Sequence, residues 1–326
     1  MARIDRAIPR ERRQTRKHVM QTKSVVNLLL VPALFAFFYA LRVLTDGSAI
    51  DEWLPRWHTL FIIASMIVLE RLYAYRYAVS QRPVLRRDIV STLVNVYVSA
   101  AVTGMLLLPV LAPSVEFLFG REKIFSSPEE LGPLWVQIPV ILLAVSFFRY
   151  WMHRWQHSNA FLWKLHSYHH SVTDLKASNT YVSHPIDWVL RNAVVFVVFG
   201  LVGFDPQAML LAVPASAISG IFSHCGADVR GGLLNYVFVT PEVHRWHHAL
   251  KVPEGHKHSV NYGVEFSFWD MLFGTFHLPQ KDGMVEQPER IGHPGGLADE
   301  PNYIRLLLAP FGLYRPLSLK RAARES

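Results

Sequence analysis

The stretch HRWQHSNAFLWKLHSYHH, from His153 to His170, decides how this chain is organised. It contains two groups of histidines, spaced HxxxH and HxxHH, and the second spacing returns far downstream in HRWHH, His244–His248. Half of the chain's 16 histidines belong to these three boxes. The box histidines are His153, His157, His166, His169, His170, His244, His247 and His248.

The spacings within the boxes suit a helix, because residues three or four apart share a face and can direct their imidazoles at one point. The spacing between the first two boxes does not. On one straight helix, the nine residues from His157 to His166 would turn through about 900°, which leaves the two boxes facing opposite ways. We therefore expect a turn near Ser158-Asn159 that folds the second box back onto the first.

Clustered imidazoles of this number indicate metal binding. Neutral imidazole is a ligand for Zn, Cu, Fe and Ni, and a closed zinc site needs only four ligands. The boxes hold too many histidines for one ion, so we expect two ions to share them, together with one or two further histidines. Uncoordinated histidines buried at this density would lose hydration and repel one another on protonation. HRWQH also lacks the glutamate of HExxH, the general base of zinc metalloproteases.

Composition indicates a membrane protein. The 326 residues are 51% hydrophobic, and the mean hydropathy is positive at +0.19. The formal net charge of +8 could suggest nucleic acid binding, but the long apolar spans favour basic flanks on membrane helices, and we expect no nucleic acid partner. The single cysteine, Cys225, excludes an intrachain disulfide framework, and we expect it to be a small buried apolar residue.

Long apolar runs predict about four transmembrane helices. A further pair of shorter runs, Trp188–Gly203 and Met209–Phe222, predicts a helical hairpin that enters and leaves the membrane from one side. The four longer runs are Val25–Leu44, Leu60–Tyr73, Ile89–Leu111 and Leu134–Trp151.

Charge in the connecting loops predicts the orientation. Residues 1–24 and 71–88 are rich in arginine, so by the positive-inside rule both should be cytoplasmic. The fourth helix then leaves the membrane on the cytoplasmic side, just before His153. The hairpin returns the chain to the same side at His224, so all three boxes should meet at the cytoplasmic face.

Several histidines lie outside the boxes. His184 and His224 flank the predicted hairpin, and we expect them to be the ninth and tenth metal ligands, with helix capping or support of a neighbouring ligand as the alternative for each. His293-Pro-Gly-Gly296 is similar to the haem-ligand segment of cytochrome b5, but no second axial histidine follows it, so we interpret it as a turn. The remaining ones are expected in loops or at the membrane interface: His18, His58, His256, His258 and His277.

The expected fold is all-α: an integral-membrane helical bundle of about four transmembrane helices plus a short helical hairpin, with a histidine-rich helical cap on the cytoplasmic face. We divide the chain into four parts. These are a basic cytoplasmic segment 1–24, transmembrane helices 25–151, a histidine-box region 152–280 that includes the membrane hairpin 188–222, and a C-terminal tail 281–326.

Residues near the boxes are candidates for supporting roles. Metal-bound imidazoles usually donate their second N–H to a carboxylate or carbonyl, so nearby acids could orient them. Asn179 and Tyr181 are weaker candidates for lining the site. The acids are Asp174, Asp187, Asp228, Glu242 and Asp270, and the tryptophans expected to anchor the region at the interface are Trp151, Trp155, Trp163 and Trp246.

The three boxes are followed by Asn261-Tyr262-Gly263 and by the segment Phe268-Trp-Asp-Met-Leu-Phe-Gly-Thr275. In this ordered set the chain resembles the fatty acid hydroxylase / sterol desaturase superfamily of integral-membrane di-iron enzymes. The resemblance covers about residues 140–277. In it, the eight box histidines match metal ligands, and His184 and His224 match further histidines of the cluster.

The resemblance implies a chemistry as well as a fold. It implies two non-haem iron ions, O2 as co-substrate, and hydroxylation or desaturation of an unactivated C–H bond in a lipid from the bilayer, such as a fatty acyl chain or sterol. No fused cytochrome b5 domain is matched, so the electrons should come from a separate redox partner of the cytochrome b5, ferredoxin or reductase type.

Two other classes of function remain open from the sequence. A divalent metal transporter is one, because histidines within membranes often mark ion paths. The boxes, however, fall at or beyond the ends of the apolar runs rather than at mid-membrane. A bis-histidine haem electron carrier is the other, although it would use isolated histidine pairs rather than packed triplets.

Overall fold

In a computed structural model of the protein, the described residues are 49–75, 82–120, 123–125, 127–293 and 300–313, with four isolated positions between 33 and 40. The expected basic segment 1–24, most of the first apolar run and the end of the tail lie outside them. The regular secondary structure of the described part is helical apart from one two-stranded hairpin, β1 (Gln280–Lys281) and β2 (Met284–Val285). The expected predominance of helix is therefore confirmed.

Six longer helices form the body of the part of the chain that the structure describes. They are α1 (Ala49–Leu72), α2 (Arg82–Leu93), α3 (Ala100–Phe119), α4 (Leu134–Ser158), α6 (Pro185–Val202) and α7 (Pro206–Ser223). Four short helices complete the set: α5 (Ala160–His166), α8 (Pro241–His247), α9 (Phe268–Leu272) and α10 (Tyr303–Leu308). Single 3₁₀ turns occur at Pro128–Leu131, His169–Ser171, Ala177–Asn179, Gly232–Tyr236 and Ala309–Phe311.

Within the described residues, three helical stretches are long and apolar enough to cross a membrane: Leu85–Leu107, Leu134–Ser158 and Pro206–Ser223. The first two contain most of the third and fourth expected runs, and the last is one arm of the expected hairpin. The second expected run, Leu60–Tyr73, differs. It is the C-terminal part of α1, which begins eleven residues earlier at Ala49 and includes charged residues in its first two turns.

A π-helical turn at Val94–Ser99 joins α2 to α3 without breaking the helix. Such turns place one side chain where a regular helix would not, often at functional sites. Within this turn, Asn95 is fully buried and donates to the carbonyl oxygens of Tyr181 and Ser183, each at 2.9 Å. Asn95 thereby holds the loop that leads into α6.

The hairpin of α6 and α7 packs between α1, α3 and α4. Its turn uses Gly203 in the left-handed region at φ 90°, where an added Cβ would lie 2.6 Å from the Phe125 carbonyl oxygen. Asp205 then caps α7 by accepting from the Gln207 N–H at 2.7 Å. Pro206 follows at the first helical position, where its missing N–H is not needed. Both expected apolar runs are therefore helical, and their entry into the membrane from one side stays a prediction.

Apolar side chains between α4 and the hairpin form one core, with Ile141 and Val145 of α4 against Val198, Ala208 and Ala212. A second core joins α1 to the end of α7. Cys225 is completely buried in that second core, as its expected role as a small apolar residue requires. Together these cores fix the orientation of α4 and α7, whose C-terminal ends lead into the histidine-rich region.

Candidate metal centre

The turn expected after the first box is present. Helix α4 ends at Ser158, and Asn159 adopts an extended conformation with φ −99° and ψ 124°. The Asn159 side chain accepts from the backbone N–H groups of Phe161 and Leu162, both at 3.0 Å, and so caps α5. This reversal brings His166 back to His153, and their Nε2 atoms lie 3.1 Å apart.

Nine buried histidines gather in two adjoining clusters, within each of which one ring nitrogen per residue lies within 4.8 Å of all the others. No ring in either cluster is more than 7% exposed. The five-histidine cluster consists of His153, His157, His166, His170 and His247, and the four-histidine cluster consists of His169, His224, His244 and His248.

Each HxxHH box is divided between the two clusters. His166 and His170 enter the five-histidine cluster, whereas His169 enters the other. The third box does the reverse, because only its middle residue, His247, joins the five-histidine cluster. The expectation that each box converges on one point is therefore wrong for the two HxxHH boxes, whereas His153 and His157 of the first box share one cluster. Neighbouring helical residues diverge by about 100°, so adjacent histidines face different sites.

Backbone carbonyls fix the orientation of three rings. The Nδ1 atom of His153 lies 2.8 Å from the Tyr262 carbonyl oxygen, that of His247 2.8 Å from the Val260 oxygen, and that of His169 3.0 Å from the Val182 oxygen. A carbonyl oxygen only accepts, so each Nδ1 carries the proton and each Nε2 presents a lone pair. This is the tautomer that a metal-binding histidine needs.

The contact between His153 and His166 tests whether a metal fits. His166 donates its Nδ1–H to the Asp187 carboxylate at 3.3 Å, just as His153 donates to Tyr262. Both Nε2 atoms are then unprotonated, and their lone pairs face each other across a distance of 3.1 Å between the two nitrogens. Such a contact is repulsive unless a cation shares it. The Nε2 atom of His157 is also buried without a hydrogen-bond partner among the described residues. The donor set therefore fits a bound metal ion.

Burial keeps these imidazoles neutral. Loss of hydration lowers the pKa of His169, His170, His244 and His248 well below 6.5, and neighbouring histidines lower it further. The same cause lowers the pKa of His224 and His247 to about 3. Because the neutral ring is the form that binds metal, protons do not compete for these nitrogens at neutral pH.

The two histidines proposed as ninth and tenth ligands have different surroundings. His224 follows α7 and lies in the four-histidine cluster, where its Nδ1 is 3.3 Å from Asn179 Oδ1. His184 lies outside both clusters. Its Nδ1 accepts from the Ile186 N–H at 3.2 Å, which caps α6, and its Nε2 donates to the Leu307 carbonyl at 3.3 Å. Both ring nitrogens of His184 therefore have backbone partners.

Two of the five candidate acids support the histidines. Asp187 accepts from His166 and also from Ser183 Oγ at 2.6 Å. Asp270 acts one step further away, because it accepts from the backbone N–H groups of Tyr262 at 2.6 Å and Gly263 at 2.8 Å. It thereby holds the loop whose Tyr262 carbonyl orients His153. The other three acids have different partners in the structure: Asp174 pairs with Lys176, Asp228 with Arg230, and Glu242 with Asn235 and Arg230.

Trp163 is closer to the centre than the sequence indicates. Its ring centroid lies 4.8 Å from that of His157 and 5.3 Å from that of His170, so it packs directly on two members of the five-histidine cluster. Trp151 and Trp155 differ, since 41% and 54% of their respective surfaces are exposed. Sequence spacing could have indicated the role of Trp163, which is three residues before His166 and therefore on the same face of α5.

A buried polar network lies one helical turn before His153. Arg149 of α4 donates to Glu265 Oε1 at 2.6 Å and to Asn192 Oδ1 of α6 at 2.8 Å, and it also contacts Ser216 of α7. The Glu265 side chain is only 3% exposed. A charged pair buried among apolar helices is energetically demanding, so this network ties α4 and the hairpin together at a defined point. None of the predictions made from the sequence includes this network.

Comparison with known proteins finds matches to the region that contains the clusters. The fatty acid hydroxylase family matches residues 138–275, which contain all three boxes. Among curated relatives, an ornithine lipid hydroxylase of Rhizobium tropici is 34% identical over 55% of this chain and 51% of its own length. Sphinganine C4-monooxygenase 1 of Arabidopsis thaliana is 27% identical over 43% of this chain and 54% of its own length. A Delta(7)-sterol 5(6)-desaturase of Gibberella zeae is 24% identical over 50% of this chain and 44% of its own length.

The chain thus spans about half the length of each of these three relatives. No solved structure matches it. The matched region coincides with the residues that carry the two histidine clusters and with the Asn261–Thr275 segment that orients them. Residues 138–275 thus match the fatty acid hydroxylase family, and over that region this chain is similar to lipid hydroxylases, sphinganine monooxygenases and sterol desaturases.

Proposed function

We propose that the protein is a membrane-bound, non-haem di-iron oxygenase that uses O2 and two external electrons to hydroxylate an unactivated C–H bond of a lipid, such as a fatty acyl chain or sterol. Desaturation of the same kind of bond is the alternative outcome. The observation that carries this proposal is the pair of adjoining clusters built from buried, neutral imidazoles.

The two clusters are close enough to act on one substrate. The rings of His170 and His248, one from each cluster, are stacked with centroids 4.2 Å apart. The rings of His244 and His247 are also stacked across the boundary, at 5.2 Å. Two ions held by these residues would therefore be neighbours. The proposed ligands are the nine clustered histidines, and His184 is left out because backbone groups occupy both of its nitrogens.

Iron bound there would supply the O2-dependent redox chemistry, since imidazole ligands suit iron and leave coordination positions open. The protein's own contribution is to hold the rings in the unprotonated form and to exclude water. The carbonyls of Tyr262, Val260 and Val182 fix three of the tautomers. Asp187 makes the Nε2 atom of His166 a stronger ligand by accepting its Nδ1 proton.

A lipid substrate is supported by the surroundings. Helices α3 and α4 expose apolar side chains, including Leu106 at 65% and Phe117 at 88%, as helices in contact with lipid do. The relatives named above are an ornithine lipid hydroxylase, a sphinganine monooxygenase and a sterol desaturase. We propose that an acyl chain or sterol reaches the clusters from the bilayer, at its cytoplasmic face.

The test is metal analysis followed by product analysis with isotopically labelled O2. The purified protein should contain two irons per chain and show no haem absorption band. Lipids from cells that express the gene should gain one labelled oxygen atom, or should lose two hydrogens if the reaction is desaturation. Cells that express the His247→Ala variant are the control. A haem band, or a lipid profile identical to that of the control, would contradict the proposal.

A further inference from the structure

Trp163 connects the five-histidine cluster to the protein surface. Its ring centroid lies 4.8 Å from that of His157, 5.3 Å from that of His170 and 5.3 Å from that of His293. Trp163 and His293 are both partly exposed, whereas no histidine of the cluster is more than 7% exposed. A protein that approaches this face can therefore touch Trp163 or His293 but cannot touch the clustered histidines themselves.

The position of His293 is set by the third box. The Gly292 N–H donates to the His248 carbonyl at 3.0 Å, and the Leu250 N–H donates to the Arg290 carbonyl at 2.9 Å. The segment 290–293 is thus fixed to the backbone of two residues at the end of that box. His293 lies beside Trp163 for this reason, although the sequence analysis interpreted the segment only as a turn.

Exposed basic residues lie on, or directly beside, the segments that carry these two rings. Lys164 is exposed directly after Trp163, and Lys251 and Arg290 are exposed where the 290–293 segment joins the end of the third box. Glu289 provides one opposing charge. Phe161 is 59% exposed on the same short helix and adds apolar surface. An apolar centre with a positive rim is complementary to an acidic protein surface.

The proposed reaction needs an external electron donor, which would have to bind at an accessible face of the protein. Replacing C–H by C–OH with one oxygen atom of O2 reduces the other atom to water, which consumes two electrons and two protons. The described residues hold no redox-active disulfide, since Cys225 is a free thiol buried in an apolar core. The electrons must therefore come from outside, through a group that reaches from the surface to the clusters.

We propose that Trp163 and His293 form the electron-entry site of this protein, and that the basic face around them docks an acidic, one-electron carrier protein. This inference rests on the proposed oxygenase function, since only a redox centre needs such a site. Trp163 is assigned as the bridge between the docked carrier and the five-histidine cluster, and Lys164 and Arg290 as docking residues.

The experiment compares two reductants of the iron-loaded protein under anaerobic conditions. Dithionite is small and needs no docking face, whereas a reduced plant-type [2Fe–2S] ferredoxin is an acidic protein that must dock. The variants are Trp163→Leu, the matched control Trp155→Leu on the exposed side of α4, and the double charge reversal Lys164→Glu/Arg290→Glu. Iron content and ferredoxin binding to the metal-free protein are measured alongside.

We expect ferredoxin to reduce the bound iron of Trp163→Leu several-fold more slowly than that of the wild type, and the dithionite rate per bound iron to change much less. Trp155→Leu should match the wild type in every measurement. The charge reversal should weaken ferredoxin binding to the metal-free protein, and it should lower the association rate by about tenfold at low salt, with a smaller effect at high salt.

Two results would overturn the inference while leaving the oxygenase function intact. One is a Trp163→Leu protein that ferredoxin reduces as fast as the wild type. The other is a wild-type protein that dithionite reduces but ferredoxin does not. Failure of dithionite to reduce the wild-type metal would instead contradict the oxygenase function itself.

Discussion

The two histidine clusters are built from the same boxes but are supported differently. In the five-histidine cluster, His153, His166 and His247 each donate Nδ1–H to a carbonyl or carboxylate oxygen. In the four-histidine cluster, His169 and His224 have such partners, whereas the Nδ1 atoms of His244 and His248 are buried without one among the described residues. The five-histidine cluster therefore has more ligands and more of its tautomers fixed in advance.

The hydrogen-bond partners of the rings decide which ligands are oriented before a metal ion binds. Ligands whose second nitrogen is hydrogen-bonded are oriented before metal arrives, and ligands without such a bond depend on the metal itself. The unsupported pair belongs to α8 and its end, a helix of only two turns. We therefore expect the four-histidine cluster to bind metal more weakly and to lose it first.

The largest expected effects come from removing one ring from each cluster. His247→Ala leaves four histidines in its cluster, enough for a closed tetrahedral site, whereas His169→Ala leaves only three in the other. Both variants should lose oxygenation by more than about 100-fold, because a metal ligand matters more than its supporting partners. Iron content should fall further in His169→Ala.

Iron analysis and lipid product analysis check that order. His277→Ala is the control, because His277 packs on Trp246 outside both clusters. Full activity in either cluster variant would contradict the ligand assignment. Equal iron content in the two would show that the extra ligand of the larger cluster has no effect.

A smaller effect is expected from the partners of the rings. Asp187→Asn removes the negative charge behind His166, and Asn179→Ala removes the acceptor behind His224. Each should weaken iron binding by about 10- to 100-fold, with the charged partner at the upper end. Competition with a chelator measures this affinity. Ser183→Ala, which removes a different partner of Asp187, should bind iron almost normally.

Acidification tests a property that both clusters share, the low pKa of their buried imidazoles. Burial lowers the pKa of His224 and His247 in the folded protein to about 3, whereas the unfolded value is near 6.5. Between these values the unfolded chain binds more protons, so the stability of the metal-free protein should fall as the pH falls below about 6.5. Asp174 and Asp270 oppose this, since burial raises the pKa of each to about 6, but the histidines outnumber them.

Melting temperatures of the metal-free protein at pH 7.5 and pH 5 check this expectation. His224→Gln and His247→Gln should each reduce the loss of stability at the lower pH, and His256→Gln in the loop after the third box should not. A melting temperature that is the same at both values would show that the clustered rings are not held neutral by burial.

The smallest effect is expected at His184. Replacing it with Ala removes the cap of α6 and should lower the free energy of unfolding by about 1 kcal/mol. Iron content should not change, in contrast to His224→Ala, which removes a member of the four-histidine cluster. Denaturant unfolding and iron analysis measure the two quantities. A loss of iron in His184→Ala would show that this ring reaches a metal after all.

Much of the centre could be predicted from spacing. The boxes identified eight of the clustered rings, the half-turn between His157 and His166 required the reversal that Asn159 provides, and the position of His224 after an apolar run identified the ninth. His184 has a similar sequence context, Ser-His, but precedes a proline that begins α6. Its ring caps that helix, and no local pattern distinguishes a capping histidine from a ligand.

By itself, the sequence determined that this protein is helical, that its apolar runs suit a membrane, and that its histidines can bind metal. These properties depend on local periodicity and on the chemistry of one side chain. Only the tertiary structure decided which histidines share a cluster. It also decided that the Tyr262 and Val260 carbonyls accept hydrogen bonds from the rings of His153 and His247, and that His293 contacts Trp163. The physical reason is that such contacts join residues far apart in the chain, whose approach depends on how α4 and the hairpin pack rather than on any spacing within a segment.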